Sequence, residues 1–246
     1  MKSSKAAEGP EPRRILLAKT FVIGDIHGAF KALLQCFERS GFNRRSDRLI
    51  VIGDVCDGYP EVKQCIDELL EIKHCELIIG NHDMWVLDWA ARGDSPEIWT
   101  SQGGNRTIES YGGGPVPKTH VDFLKNGHLW LESDDQIFVH GGFNPDIPLS
   151  NHSAQTLVWD RTLLDMAWNK HLTGNKCRIS RFKDIFVGHT TTEFYNTLKP
   201  IHVCNVCDID TGAGWSGKLT IMDVNTKKYW QSDLTPDLYG GVPGRK

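Results

Sequence analysis

Short apolar runs closed by glycine recur along the chain and set its frame. Thr20-Phe-Val-Ile23, Leu49-Ile-Val-Ile52 and Glu76-Leu-Ile-Ile79 are rich in strand formers, and Gly24, Gly53 and Gly80 follow them at once. Between these runs the apolar residues change to helical spacing. Phe30, Leu33, Leu34 and Phe37 predict a helix over 29–40. Val62, Ile66, Leu69 and Leu70 predict another over 60–72, with Pro60 suited to its first turn. A third helix is expected over 82–91. The order β-α-β-α-β-α implies a largely parallel sheet with right-handed crossovers.

The pattern changes after that. A helical stretch over 98–110 runs into the breaker Gly112-Gly-Gly-Pro-Val-Pro117, and a helix is expected over 121–126. Strands are expected over 129–132 and 136–139, a helix over 156–170, and strands over 185–187 and 201–206. A hairpin over 219–224 and 228–231 turns at Asn225-Thr226. The second half therefore reads as strand-rich and antiparallel. Both sheets need their faces covered, so the expected fold class is α/β, with two mixed β-sheets packed as a sandwich flanked by helices.

Composition narrows the function. The chain has 246 residues, 39% hydrophobic and 24% charged, which fits a globular protein with a sizeable core. Its 28 basic and 31 acidic residues give −3, against a general binder of nucleic-acid duplexes. No apolar run approaches the ~20 residues that span a bilayer, so a membrane is not an expected partner. Residues 1–19, polar or too short in their apolar run for an export signal, read as a loose leader, and 20–246 as one domain. Seven scattered cysteines, with Cys204 and Cys207 the one CxxC, read as buried or half-buried thiols in a reducing cytoplasm.

The candidate chemistry sits on the glycine-punctuated strand ends. They read Gly24-Asp25-Ile-His27-Gly28, Gly53-Asp54-Val-Cys-Asp57-Gly58, Gly80-Asn81-His82-Asp83, Val139-His140-Gly141-Gly142 and Val187-Gly188-His189-Thr190. Carboxyl ends of strands in α/β sheets open into one crevice, where ligands bind. Five strand ends would thus deliver Asp, His and Asn to one place. Carboxylates and imidazoles without thiolate suit Mn, Fe or Zn. Two such ions lower the pKa of a water from ~16 toward ~7, worth about 12 kcal/mol, and phosphoester hydrolysis is the chemistry that uses this. His74, His120, His128, His152, His171 and His202 lack the punctuation and read as surface or structural.

These motifs, with Asp210-Thr-Gly-Ala213, resemble the phosphoprotein phosphatase family of calcineurin-like metallophosphoesterases. They stand in family order from Phe21 to about Trp230, and the branch resembled holds small bacterial and phage serine/threonine phosphatases and symmetrical diadenosine tetraphosphatases. The resemblance implies two divalent ions, Mn²⁺ above Fe or Zn. It assigns Asp25, His27 and Asp54 to one ion, with Asp54 bridging, and Asn81, His140 and His189 to the other. It makes His82 the general acid, with Asp57 orienting and raising its imidazole. It gives the substrate phosphate to Arg161, with Asn81 beside it.

Two positions depart: Gly58 stands where the family often has arginine, and Asp83 where it often has glutamate. Arg92 or Arg106 is the expected source of the missing guanidinium. The expected activity is a metal-dependent phosphomonoesterase of the serine/threonine type or of broad specificity, acting on a phosphorylated substrate. The alternatives are a symmetrical bis(5'-nucleosyl)-tetraphosphatase, whose base would stack along the 99–111 segment, and a catalytically silent metal-binding module.

Overall fold

In this computed structural model residues 18–174 and 177–245 are described. The expected leader therefore falls outside the described residues, except for Ala18 and Lys19.

The first half follows the β-α alternation. Strand β1 (Thr20–Ile23), helix α1 (Phe30–Ser40), β2 (Arg48–Val51), α2 (Val62–Leu70), β3 (Cys75–Leu77) and α3 (Asn81–Arg92) come in that order. The 98–110 stretch divides into α4 (Glu97–Trp99), a π-type turn (Thr100–Gly104) and α5 (Asn105–Ser110); Gly103, at φ 102°, makes the break. Then come α6 (Lys118–Lys125), β4 (Trp130–Ser133), β5 (Gln136–Val139), α7 (Ala154–Trp159), α8 (Thr162–Leu172) and β6 (Asp184–Val187). Strands β7 (Ile201–Val203), β8 (Val206–Asp208), β9 (Thr220–Asp223) and β10 (Tyr229–Gln231) lead to α9 (Thr235–Leu238).

The strands form two five-stranded sheets, ordered β10-β9-β1-β2-β3 and β4-β5-β6-β8-β7. Strand pairs β1–β2 and β2–β3 are parallel, while the β9–β10 hairpin adds antiparallel to β1. Side-chain alternation explains the sandwich. Phe21, Ile23, Leu49 and Val51 face the core under α1 and α2, while Val22, Ile50 and Ile52 point into the space between the sheets. From the other sheet Phe138 and Phe186 enter that space, stacked at 4.8 Å, and Ile137, Val139, Ile185 and Val187 face the core under α7 and α8. Both faces of these strands are buried, which is why they read as unbroken apolar runs.

Four expectations for the second half need correcting. The second sheet is not antiparallel throughout: β5–β6 and β6–β8 are parallel, the α7–α8 segment making the crossover between β5 and β6 and the outer strand β7 turning the chain back so that β8 runs with β6. The expected helix over 156–170 is two helices, since Asp160 takes extended backbone and its Oδ2 accepts from Leu163 N–H at 3.1 Å. The strand over 201–206 is a tight hairpin, turned at Cys204 (φ 53°) and Asn205. That turn also changes the cysteine reading. Cys204 is joined by a disulfide to Cys177, Cα atoms 4.8 Å apart, while Cys207 lies buried on β8 against Met222. Cys36, Cys56, Cys65, Cys75 and Cys207 are free thiols. No helix of the described residues is long and apolar enough to cross a membrane.

Polar ties join the two sheets: Arg48 on β2 donates to Ser133 on β4 at 2.9 Å, and a buried carboxylate makes another. Lys227, in the β9–β10 turn, donates to Asp184 Oδ2 at 2.7 Å, and Gln136 donates to the same oxygen at 3.0 Å. Burial alone raises the Asp184 carboxyl, but these hydrogen bonds and the Lys227 charge outweigh it and hold the group below its ordinary value. Lys227→Met is expected to cost roughly 1.5–3 kcal/mol, the worth of a hydrogen bond to a charged group. The readout is a lower urea midpoint at unchanged slope. A depressed carboxyl stabilises above its unfolded pKa and ceases to as pH falls through the folded value, so the gap between variant and parent should close below about pH 4. A gap of equal size at pH 3 would refute the ion pair as its source.

Candidate metal centre

The carboxyl ends of β1, β2, β3, β5 and β6 meet at one end of the sandwich, and their following loops carry the motif residues. Asp25 and His27 follow β1, Asp54 and Asp57 follow β2, and Asn81 and His82 open α3 after β3. His140 follows β5 and His189 follows β6. Each of these side chains is buried at 9% exposure or less. The loops turn unusually sharply: His27, Asp54, Asp57 and His189 all take left-handed backbone, with φ 49°, 46°, 70° and 64°. Non-glycine residues held there cost about 1–3 kcal/mol each, and such strain collects where side chains must be aimed. Gly80 leaves the room that Asp54 needs, since a Cβ on it would lie 2.1 Å from Asp54 Oδ1.

Asp54 is the hub. Its Oδ2 lies 3.7 Å from His27 Nε2 and 3.4 Å from His140 Nε2, and its Oδ1 accepts from His82 N–H at 2.9 Å. Ligand atoms of His27, Asp54 and His82 lie within 4.8 Å of one another, and so do those of Asp54, His140 and His189. Two triads thus share one carboxylate. Asn81 Oδ1 sits 3.1 Å from His140 Nε2, and Asp25 Oδ2 accepts from His189 N–H at 3.1 Å. All six residues expected to hold metal are therefore in one cluster.

The cluster fits divalent cations on its own chemistry. Asp25 Oδ1 and His189 Nε2 are buried without a hydrogen-bond partner, a costly state for polar atoms in a folded chain. Burial, then the charges of Asp210 and Asp54, push Asp25 well above the usual carboxylate range, so this crowd of acids lacks positive charge. Burial, then Arg245, lowers His27 far below its ordinary value, and burial takes His189 down to about 2. Both imidazoles are thus neutral and able to ligate. Burial works against Asp54 too, but His140 and His82 outweigh it and keep that carboxylate ionised.

His82 Nδ1 lies 2.6 Å from Asp57 Oδ2, and Trp99 Nε1 and Thr107 Oγ1 donate to the Asp57 carboxyl at 2.8 and 2.6 Å. The sequence reading had the carboxylate raising this histidine. The structure reverses the sign: burial takes His82 down to about 3 and Asp57 up to about 8. A proton shared along this hydrogen bond leaves the imidazole neutral, with Nε2 the ring atom not engaged by Asp57. Asp83 replaces the family glutamate as a helix clamp, accepting from Val55, Cys56 and Gly80 N–H groups.

Arg161 stands at the break between α7 and α8 and lines one cleft with Asn81, His82, Gln102, Trp159, His189, Phe194, Trp215 and Arg245. Neither expected substitute for the missing guanidinium reaches it. Arg92 pairs with Asp88 and Asp94 on the surface, and Arg106 pairs with Glu109. Trp99 is fully buried and Tyr111 packs against Trp89 and His120 away from this cleft, whose aromatic rim consists of Trp159, Phe194 and Trp215. Arg245 was not among the residues singled out from sequence. A lone arginine in a Gly-Pro-Gly tail carries no signal that it returns to a site.

Comparison with known proteins agrees with this geometry. Residues 18–204 match the calcineurin-like phosphoesterase family model. The chain is 28% identical to serine/threonine-protein phosphatase 1 of Salmonella typhimurium, over 82% of this chain and 89% of that protein. It is 23% identical to a symmetrical bis(5'-nucleosyl)-tetraphosphatase of Pseudomonas putida, over 89% and 94%. Among solved structures, a serine/threonine phosphatase from Saccharomyces cerevisiae superposes with a TM-score of 0.58 at 12% identity, covering 90% of this chain and 81% of that one. A cold-active protein-tyrosine phosphatase from a psychrophilic Shewanella gives 0.56 at 16%, covering 88% and 81%. These last two speak for the fold alone. With three quarters of its length inside the matched model, the chain belongs to the calcineurin-like phosphoesterase family.

Proposed function

We propose that this phosphoric ester hydrolase is a phosphomonoesterase that prefers phosphoserine and phosphothreonine, working with two divalent ions, Mn²⁺ before Fe or Zn. The observation that carries this is the clustering of His27, Asp54 and His82 and of Asp54, His140 and His189 about one shared carboxylate, with Asp25 and Asn81 alongside and His82 tied to Asp57. Asp25, His27 and Asp54 hold one ion, and Asp54, Asn81, His140 and His189 the other. Bound there, such ions generate a hydroxide at neutral pH and draw charge from phosphoryl oxygens.

The chain's own groups do the rest. Arg161 presents a planar fork that matches two phosphoryl oxygens. Asn81 stands beside it at the floor of the cleft. His82 Nε2, buried and unpartnered, donates its proton to the departing alkoxide. As it does so, the Asp57 proton passes to Nδ1 along the 2.6 Å hydrogen bond, so the imidazole never carries a net negative charge. Trp99 and Thr107 keep Asp57 aimed through this exchange.

A second reading has one observation in its favour. Trp159 and Phe194 are 38% and 67% exposed at the rim, enough open aromatic surface for a nucleobase to stack. The test is a panel with Mn²⁺: a phosphoserine peptide, a phosphothreonine peptide, nitrophenyl phosphate and diadenosine tetraphosphate. The expected order puts the phosphopeptides at the highest kcat/KM. A preference for diadenosine tetraphosphate would move the assignment to dinucleoside polyphosphates. Metal-loaded protein with no turnover on the whole panel would leave only a binding module.

A further inference from the structure

The second motif ends Asp57-Gly58, and the far end of the chain comes to lie over that glycine. A Cβ built on Gly58 would stand 3.7 Å from Cγ of Arg245, and one built on Gly103 would stand 3.4 Å from the same atom. The space beside Gly58 is therefore bounded by His27, whose Cβ and carbonyl oxygen would lie 3.0 Å from a Cβ on that glycine, and by Arg245, a side chain from far along the chain. We propose that Arg245 is a substrate-binding residue, supplying a second guanidinium for the phosphoryl group beside Arg161 in one cleft. The assignment rests on the phosphoester reading of the site.

Placement comes first. Arg245 lines the cleft with Asn81, His82, Arg161 and His189, and its Nη1 lies 3.4 Å from His27 Nε2. It thus lines the cleft over the cluster and touches the ligand set at His27.

The side chain is also held there. Its backbone N–H donates to Gly214 O at 2.9 Å, its guanidinium lies over the Trp215 ring at 4.5 Å, and its Nη2 donates to Gln102 Oε1 at 3.1 Å. The tail behind it is tied down. Thr235 Oγ1 donates to Ala213 and Gly217 carbonyls, and the Tyr239 ring stacks on Tyr59 at 4.3 Å. A side chain held at Trp215, Gln102 and His27, on a backbone tied to Gly214, loses little further freedom when a ligand arrives, which favours binding.

Its hydrogen-bonding capacity is largely unspent. The one strong side-chain acceptor it has is a neutral amide, and no carboxylate among the described residues pairs with it. Its Nε is buried with no partner. A guanidinium has five N–H donors, and two parallel ones match a phosphate edge.

The test uses the full chain loaded with Mn²⁺, with Arg245→Gln and Arg245→Lys. Three quantities are read: KM for nitrophenyl phosphate, the affinity for inorganic phosphate by calorimetry, and Mn²⁺ affinity and melting temperature. Gln is expected to weaken phosphate binding and raise KM by about 10–100-fold, the usual effect of removing a charge-assisted pair. Lys should recover only part, since it lacks the fork. Mn²⁺ affinity and melting temperature should not move. Unchanged phosphate binding overturns the proposal. So does faster turnover by the Gln variant, which would make the tail a plug over the site, or a selective fall in Mn²⁺ affinity, which would place Arg245 behind His27. Parent protein that binds Mn²⁺ but neither turns over the ester nor binds phosphate would overturn the phosphoester reading itself, and this assignment with it.

Discussion

Asp54→Asn should abolish most turnover and reduce the proposed two-ion site to one ion. Asp54 is the one side chain common to both ligand triads, 3.7 Å from His27 Nε2 and 3.4 Å from His140 Nε2. The substitution is nearly isosteric, and the amide oxygen can still accept from His82 N–H, so the opening of α3 keeps its tie. What disappears is the negative charge that the two proposed cations would share. Bringing a water from ~16 to ~7 is worth about 12 kcal/mol, and losing a third of that costs roughly 10³ in rate. Calorimetry with Mn²⁺ should fall from about two ions bound to about one, in line with a two-metal site. Two ions bound with parental turnover would mean that Asp54 does not bridge, and the proposed chemistry would lose its centre.

The strand ends were legible because of how they are buried. Val22, Ile50, Phe138 and Phe186 point between the sheets while their neighbours point under the helices, so each strand appears as an apolar run with a glycine at its close. Reading those closures in order is enough to collect Asp25, His27, Asp54, Asn81, His82, His140 and His189, which the structure brings within one cluster. The second half was harder, because single residues decide it. Asp160 caps α8 and splits one helix in two, and the Cys204–Asn205 turn converts one strand into a hairpin. A helix period runs across the first and an apolar run across the second, so periodicity passes over both.

Support around the site was illegible for another reason. Trp99 and Thr107 reach Asp57 from 42 and 50 residues away, and Arg245 reaches His27 from 218. Such contacts depend on how the π-type turn and the tail fold back over the loops. No local pattern records that. The local chemistry even misled: a carboxylate beside a histidine suggests a raised imidazole pKa, but burial of both groups takes His82 to about 3 and Asp57 to about 8.

His82→Asn should show the general acid through its dependence on the leaving group. The ring Nε2 is unpartnered and faces the cleft, and Nδ1 is fixed by Asp57 at 2.6 Å. An asparagine keeps the backbone bond to Asp54 and can donate to Asp57, which Trp99 and Thr107 continue to hold. It cannot protonate an alkoxide. Turnover of a phosphoserine peptide should therefore fall by about 10²–10⁴, the usual worth of a positioned acid. Nitrophenyl phosphate releases a stable phenolate that needs little proton assistance, so its loss should be far smaller. Mn²⁺ binding should be retained, because His140, His189 and the Asp25–His27–Asp54 set are untouched. The comparison separates the proton donor from a ligand: if both substrates lose activity equally and an ion is lost as well, His82 is holding metal, in keeping with its place within 4.8 Å of His27 and Asp54, and the acid must be sought elsewhere.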